Sequence, residues 1–246
     1  MKSYQVNING LPVVANYSEE NINEIFLPLL KRLKDMQEKK KSRLLVMLAA
    51  PPGAGKSTLL SFLEDLSKKW PDLTPIQTIG MDGFHMRQEY LLSHTTTRDG
   101  REIPMVEIKG APETFDLKGL EEKIREVAAG KKCGWPLYDR TSHNPVDDAI
   151  EVTGDIVLLE GNYLLLDMEG WDRLSDYADY TISVKADEDL IKKRLLERRI
   201  LSGHDREESE AFVEFSDMAN ARLVLTKSKK ADLNLRVRAD STYDLI

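Results

Sequence analysis

The chain opens on an alternation. Tyr4, Val6 and Ile8 stand on one side of Asn9-Gly10 and Leu11, Val13 and Val14 on the other, and Asn-Gly between two such runs predicts a two-residue β-hairpin. The period then changes. Ile22, Ile25, Phe26, Leu29, Leu33 and Met36 form one helical stripe behind a capping Ser18, with Pro28 placed to kink or split the helix. Glu38-Lys39-Lys40-Lys41 reads as its solvated end. Leu44 to Leu48 is an unbroken apolar run of the kind a buried parallel strand shows, and Leu59, Leu60, Phe62, Leu63 and Leu66 return to helical spacing.

Further strands are predicted over 76–81, 156–159, 180–184 and 233–237, and helices over 116–129, 187–202 and 207–225. Asp116 is placed to cap the first of these helices, with Leu117, Leu120, Ile124 and Val127 inward and Gly130 closing it. In the last helix Phe212, Phe215, Met218 and Leu223 read as core. Residues 86–114 have little periodicity and read as a long loop, a feature usually functional or mobile in a compact domain. Strands alternating with helices predict an α/β fold of three layers, α/β/α, around a mostly parallel sheet. Residues 1–41 are an N-terminal hairpin and helix packed on that core, and 42–246 are the main domain.

With 246 residues, 41% apolar and 31% charged, the chain can bury one large core. A formal charge of −7 argues against nucleic acid as the partner. The single cysteine, Cys133, cannot form an internal disulfide, which points to a reducing, cytoplasmic compartment. Neither a membrane-length apolar stretch nor a signal-peptide core is seen, so no membrane partner is expected.

The chemistry begins at LLVMLAAPPGAGKS, residues 44–57. Strand, glycine loop, lysine-hydroxyl and helix is the order that phosphate binding demands, because loop N–H groups and a helix N-terminus together hold a polyphosphate. Gly53, Ala54, Gly55, Lys56, Ser57 and Thr58 would cradle ATP, with Lys56 reaching the β- and γ-phosphates and the Ser57 hydroxyl holding Mg²⁺. Ala50 departs from the first glycine of G-x-x-x-x-G-K-[ST]. Asp82 ends a second strand, where ligands of α/β sheets gather; it either opens an Asp-Gly turn or accepts the proton of an attacking hydroxyl. Glu160 closes a run of Ile-Val-Leu-Leu and is the expected partner of Mg²⁺. Residues 136–143, PLYDRTSH, are rich in groups that recognise hydroxyls and phosphates, or else form a solvated hairpin tip. Arg194 and Arg198 share a helical face with Arg199 beside them; on charge alone they read as an ordinary surface helix, although arginines there can also neutralise a transferring phosphoryl group.

Taken together, APPGAGKST, MDGFH, KGAPETFD, PLYDRTSH and IVLLEGNYLLLD resemble the uridine kinase, phosphoribulokinase and pantothenate kinase superfamily, from about Ser42 onward. The nearest likeness is to fructokinase-like and nucleoside kinase-like members. The resemblance implies a P-loop kinase fold, an ATP-dependent phosphotransferase acting on an alcohol, and Mg²⁺. It makes Asp82 the acid-base residue and Lys56 its partner in catalysis, and turns Arg194 and Arg198 into lid arginines on a mobile segment around 187–205. It assigns Glu160 with Ser57 to the metal, and His85, Lys109, Tyr138, Arg140 and His143 to the acceptor. Arg140 stands where uridine kinases carry a Phe, which removes a stacking surface, while Ala111 and Thr114 depart from the pantothenate kinase segment. A sugar such as fructose is the first acceptor expected, with a nucleoside such as uridine or pantothenate behind it. A homodimer stays open. A regulatory nucleotide switch or a non-catalytic P-loop protein is the alternative from another class; the N-K-x-D segment of a GTPase is absent from the sequence, and Lys56, Asp82 and Glu160 favour an enzyme.

Overall fold

In the computed structural model, which describes residues 2–8, 11–98 and 100–246, the N-terminal elements follow the sequence pattern closely. Strands β1 (Lys2–Ile8) and β2 (Leu11–Tyr17) pair antiparallel with Ile8 opposite Leu11, as a two-residue connection requires; Asn9 and Gly10 lie outside the described residues. The Asn21 N–H donates to Ser18 Oγ at 2.9 Å and opens α1 (Glu19–Asn21). Pro28 splits the helix, since it has no N–H to give to the preceding turn. The chain passes through a π-turn (Ile22–Phe26), closed by the Leu27 N–H on the Ile22 carbonyl, before α2 (Leu27–Lys40) continues.

The main domain then alternates. After β3 (Leu44–Ala49) come α3 (Lys56–Lys69), β4 (Ile76–Gly80), α4 (Gln88–Ser93), the hairpin β5 (Thr95–Arg98) and β6 (Arg101–Pro104), and α5 (Leu117–Ala128). A second hairpin, β7 (Cys133–Asp139) and β8 (Asn144–Val152), leads into β9 (Ile156–Gly161) and β10 (Tyr180–Lys185). Helices α6 (Glu188–Leu201), α7 (Arg206–Phe212) and α8 (Met218–Lys227) precede β11 (Leu233–Val237) and β12 (Tyr243–Leu245). The central sheet has six strands in the order β12-β11-β10-β3-β9-β4, parallel throughout except for β12. Leu44, Val46 and Leu48 of β3 face a core shared with α2, α3 and α6, while Leu45, Met47 and Ala49 face one containing Leu120, Ile124, Trp135 and Trp171. Both faces of the strand are buried, so the fold is a three-layer α/β/α sandwich.

Four expectations need correction. Residues 86–114 are not a structureless loop: they hold α4, the β5–β6 hairpin and two 3₁₀ turns. Threonines 95–97 are β-branched strand formers, and Gly100, with φ of +74°, lies in the connection. The strand from Ile76 stops at Gly80, because residues 81–84 wind into a 3₁₀ turn. The last helix is two α-segments around a π-turn (Val213–Asp217), and Phe215 on that turn is 53% exposed rather than core. Finally β12, too short to show a period, adds an antiparallel edge.

Candidate active site

The loop after β3 has the expected shape. Gly53 and Gly55 carry φ of +81° and +87°, values that L side chains rarely take, and α3 begins at Lys56. Ala50 is fully buried and lies outside the positive-φ set, so alanine is tolerated there without strain. Helix α6 is seated directly on the loop: a Cβ at Gly53 would fall 3.0 Å from Leu195 Cγ and 3.1 Å from the Ile191 carbonyl oxygen. The same seating brings Arg194 Nη1 to 3.4 Å from the Ala54 carbonyl oxygen.

Two carboxylates meet this loop from neighbouring strands. Ser57 Oγ donates to Glu160 Oε1 at 3.3 Å, and Lys56 Nζ lies 4.0 Å from Glu160 Oε2, a buried atom with no hydrogen-bond partner. Burial pushes the Glu160 carboxyl up to about 7, against the pull of Lys56. Asp82 behaves oppositely. Burial would raise it, but the fields of His85, Lys56, Arg140 and Arg198 hold it below the usual carboxylate range. Burial also holds the His85 ring below its ordinary pKa, so near neutral pH the lysine and the arginines supply most of that field. Two adjacent carboxyls with pKa values driven apart make one an ionised base and leave the other needing a cation. Among the described residues no cluster of three or more His, Cys, Asp or Glu side chains forms a metal cage. The donor set of Ser57 and Glu160 instead suits Mg²⁺ completed by phosphate oxygens and water.

The Asp82 turn is built into the hairpin beside it. A Cβ at Gly83 would lie 2.1 Å from the Pro136 carbonyl oxygen, so only glycine lets the 3₁₀ turn pack on β7. His85 Nδ1 donates to the Asp82 carbonyl oxygen at 2.8 Å, which leaves Nε2 as an acceptor; its ring centroid is 4.0 Å from that of Phe115 and 5.0 Å from that of Tyr138. Lys109 Nζ donates to Gln88 Oε1 at 2.6 Å and to the His143 carbonyl at 3.0 Å, and lies 5.0 Å from the Tyr138 ring centre. His85, Lys109, Tyr138 and Arg140 are therefore brought together beside Asp82. His143 takes part through its carbonyl, at a hairpin turn where its φ is +54°. The segment 109–116 is fixed from two sides: Tyr163 Oη donates to the Gly110 carbonyl at 2.6 Å, and Arg98 grips Glu113 with Nε at 3.1 Å and Nη2 at 2.9 Å.

Arg198 is exposed as a residue, yet desolvation of its guanidinium and the nearby Arg140 and Arg199 lower its pKa, against the attraction of Asp217 and Asp82. Arg198 and Asp82 thus lie within each other's field. Sequence reading passed over Gln88, Glu113 and Asn162, whose Oδ1 is buried without a partner just beyond Glu160.

A family model described as phosphoribulokinase / uridine kinase family matches residues 45–243. The chain belongs to that family. It is a P-loop kinase, with all of the site above inside the matched span. The uncharacterised Escherichia coli (strain K12) protein YggC is 40% identical over 240 residues, 97% of each chain. A pantothenate kinase of Lactococcus lactis subsp. lactis (strain IL1403) is 30% identical over 201 residues, 74% of this chain and 62% of that one. A crystal structure from Silicibacter sp. TM1040, provisionally named a fructose transport system kinase, superposes with a TM-score of 0.73 at 31% identity, covering 85% of this chain and 96% of the other. No helix among the described residues is long and apolar enough to cross a membrane.

Proposed function

We propose that this P-loop kinase transfers the γ-phosphoryl group of ATP to a hydroxyl of a small polar acceptor, a sugar or sugar-like alcohol. The observation behind this is the meeting of Lys56 and Ser57 with Glu160, at 4.0 Å and 3.3 Å, at the end of a positive-φ glycine loop, with Asp82 following the neighbouring strand. Asp82 is the base that takes the acceptor proton. Bound with ATP, Mg²⁺ would supply charge neutralisation at the β- and γ-phosphates. Lys56 faces the same oxygens, Ser57 and Glu160 orient the metal, and Arg194 and Arg198 complete the positive surround from α6. The acceptor lies against His85, Lys109, Tyr138 and Arg140, with His143 at the rim.

Several charged donors on that wall support a hydroxyl-rich ligand. The provisional name of the Silicibacter protein points the same way. A pantothenate-like alcohol is the second reading, favoured by the 30% identity to the Lactococcus enzyme and by the segment from Lys109 to Asp116.

ADP release measured across sugars, nucleosides and pantothenate identifies the acceptor. With that acceptor, Arg140→Ala should lower kcat/KM by roughly ten- to a hundredfold, the cost of one charged hydrogen bond, while the ATP dissociation constant barely moves. Unaltered acceptor kinetics in Arg140→Ala, or a nucleoside base stacked on Tyr138 in a soaked crystal, would overturn the polar-acceptor reading.

A further inference from the structure

Gly80 lies between the two carboxylates. It stands opposite Glu160 in the register of β4 and β9, a Cβ on it would fall 3.4 Å from Glu160 Oε1, and Asp82 follows two residues on. Its backbone is still extended, with φ of −125° and ψ of 148°, and the 3₁₀ turn that carries Asp82 begins at the next residue. β4 is the last strand of the sheet, with no further strand beyond it. A side chain takes the carbonyl instead: Trp135 Nε1 donates to the Gly80 oxygen at 2.8 Å, across 55 residues of sequence.

Trp135 is fully buried and belongs to the hairpin that carries the proposed acceptor wall. Its ring meets that of Phe84, the last residue of the Asp82 turn, edge-on with centroids 5.0 Å apart. Pro136 presents its carbonyl so closely to Gly83 that a Cβ there would overlap it, and Tyr138 lies 5.0 Å from His85 between ring centroids. The ladder slips at this place, from Trp135 opposite Ile150 to Leu137 opposite Val146, so Pro136 is left out of it. Residues 135, 136 and 138 of one strand thus dock on residues 80 to 85. A buried indole N–H needs an acceptor, and any carbonyl of its own hairpin would serve a purely structural tryptophan. This one reaches the single residue that separates the register position of Glu160 from the Asp82 turn.

We infer that Trp135 is a positioning residue for phosphotransfer: its indole N–H fixes the Gly80 peptide, and with it the placement of the Asp82 turn against Glu160 and the phosphate loop. The inference rests on the kinase reading above. Trp135 is closed off from solvent and acts through the backbone, not on the reacting atoms. A general base must stand within hydrogen-bond reach of the hydroxyl it deprotonates, and a misplacement of about 1 Å can cost on the order of a hundredfold in rate. Without the indole donor the Gly80 carbonyl loses its partner, and the peptide ahead of the turn is free to tilt.

The test uses the full chain with ATP-Mg²⁺ and the best acceptor from the panel. Trp135→Phe keeps an aromatic ring against Phe84 and removes the donor. Replacing residue 135 alone by β-(3-benzothienyl)alanine keeps the size and shape of the side chain with sulfur in place of the N–H, which separates the hydrogen bond from packing. Both variants should lower the single-turnover rate of phosphoryl transfer by about tenfold and leave acceptor and ATP affinities within about twofold. In an Asp82→Asn background the benzothienyl replacement should change that rate by less than about twofold, because the group it positions is gone. A wild-type rate in the benzothienyl variant overturns the inference, whatever Trp135→Phe does. So does a loss that persists in the Asp82→Asn background, or one that appears only in acceptor affinity. Each of these outcomes leaves the kinase reading standing. A wild-type protein that transfers phosphate to nothing in the panel overturns the kinase reading and this inference with it.

Discussion

Asp82 and Glu160 end adjacent strands, and what separates them is the charge each one faces. Asp82 has His85, Lys56, Arg140 and Arg198 around it, whereas at Glu160 burial outweighs Lys56 at 4.0 Å, the Ser57 hydrogen bond and the field of Arg140. Asp82→Asn keeps the turn and removes the proposed base, so turnover should fall by roughly two to four orders of magnitude with little change in ATP affinity. Near-normal turnover in that variant would leave Asp82 a turn residue only. Glu160 carries a different signature. Its folded pKa of about 7 lies above the unfolded 4.5, so the folded state binds the extra proton and stability falls as pH rises from 4.5 through 7. Above that window the buried carboxylate costs on the order of 3 kcal/mol. Glu160→Gln should therefore stabilise the nucleotide-free protein at pH 8, by up to that amount, and hardly at all at pH 5, while abolishing turnover. Urea denaturation at both pH values measures this, and equal differences would refute the raised pKa. Both acids were legible in the sequence because each ends a strand beside a phosphate loop. The π-turn at Val213–Asp217 was not, because no spacing rule announces it.

The N-terminal hairpin and helix are joined to the phosphate-loop helix by an aromatic cluster. Tyr17 stacks on Phe62 of α3 with ring centroids 3.9 Å apart, Phe26 meets Phe62 edge-on at 5.7 Å, and Tyr4 Oη donates to the Ser61 carbonyl at 2.9 Å. Asn21 adds a link to the far end of the chain: its Nδ2 donates to the Tyr243 carbonyl and its Oδ1 accepts from the Tyr243 N–H, both at 2.8 Å. Asn21→Ala would strand two buried backbone groups of β12, a loss of roughly 2–4 kcal/mol. Hydrogen exchange should then show β12 and α1 losing protection together; exchange unchanged in β12 would break the proposed link. The hairpin, the Ser18 cap and the break at Pro28 were readable because each is a local signal. The pairing of residue 21 with residue 243 was not, since no local rule reaches across the chain. The β5–β6 hairpin was missed for a different reason: its strands have a polar pattern, and periodicity in apolar residues is the signal that was read.

At the scale of the molecule, the residues between Leu44 and Val237 carry the phosphate loop, both carboxylates and the proposed acceptor wall, yet their core is not closed by them alone. Phe26, Leu29, Leu30 and Leu33 from residues 1–41 are buried in the same cluster as Val46, Leu48 and Leu63. Burying four such side chains is worth roughly 6–12 kcal/mol as an upper estimate, comparable to the whole stability of about 5–15 kcal/mol typical of a domain. The sequence marked this piece as an extension because it precedes the phosphate-loop strand and lies outside the motifs. Packing makes it a layer of the domain, with α2 and α3 covering one face of the sheet. Removal of residues 1–41 should therefore prevent folding rather than trim a dispensable arm. Expressed alone, residues 42–246 should be aggregated or molten, with no cooperative melt and no ATP-dependent rise in melting temperature, whereas the full chain should unfold in one transition that ATP-Mg²⁺ moves upward. A truncated protein that melts cooperatively within a few degrees of the full chain would show that the sheet closes its own core and that the extension serves some other end.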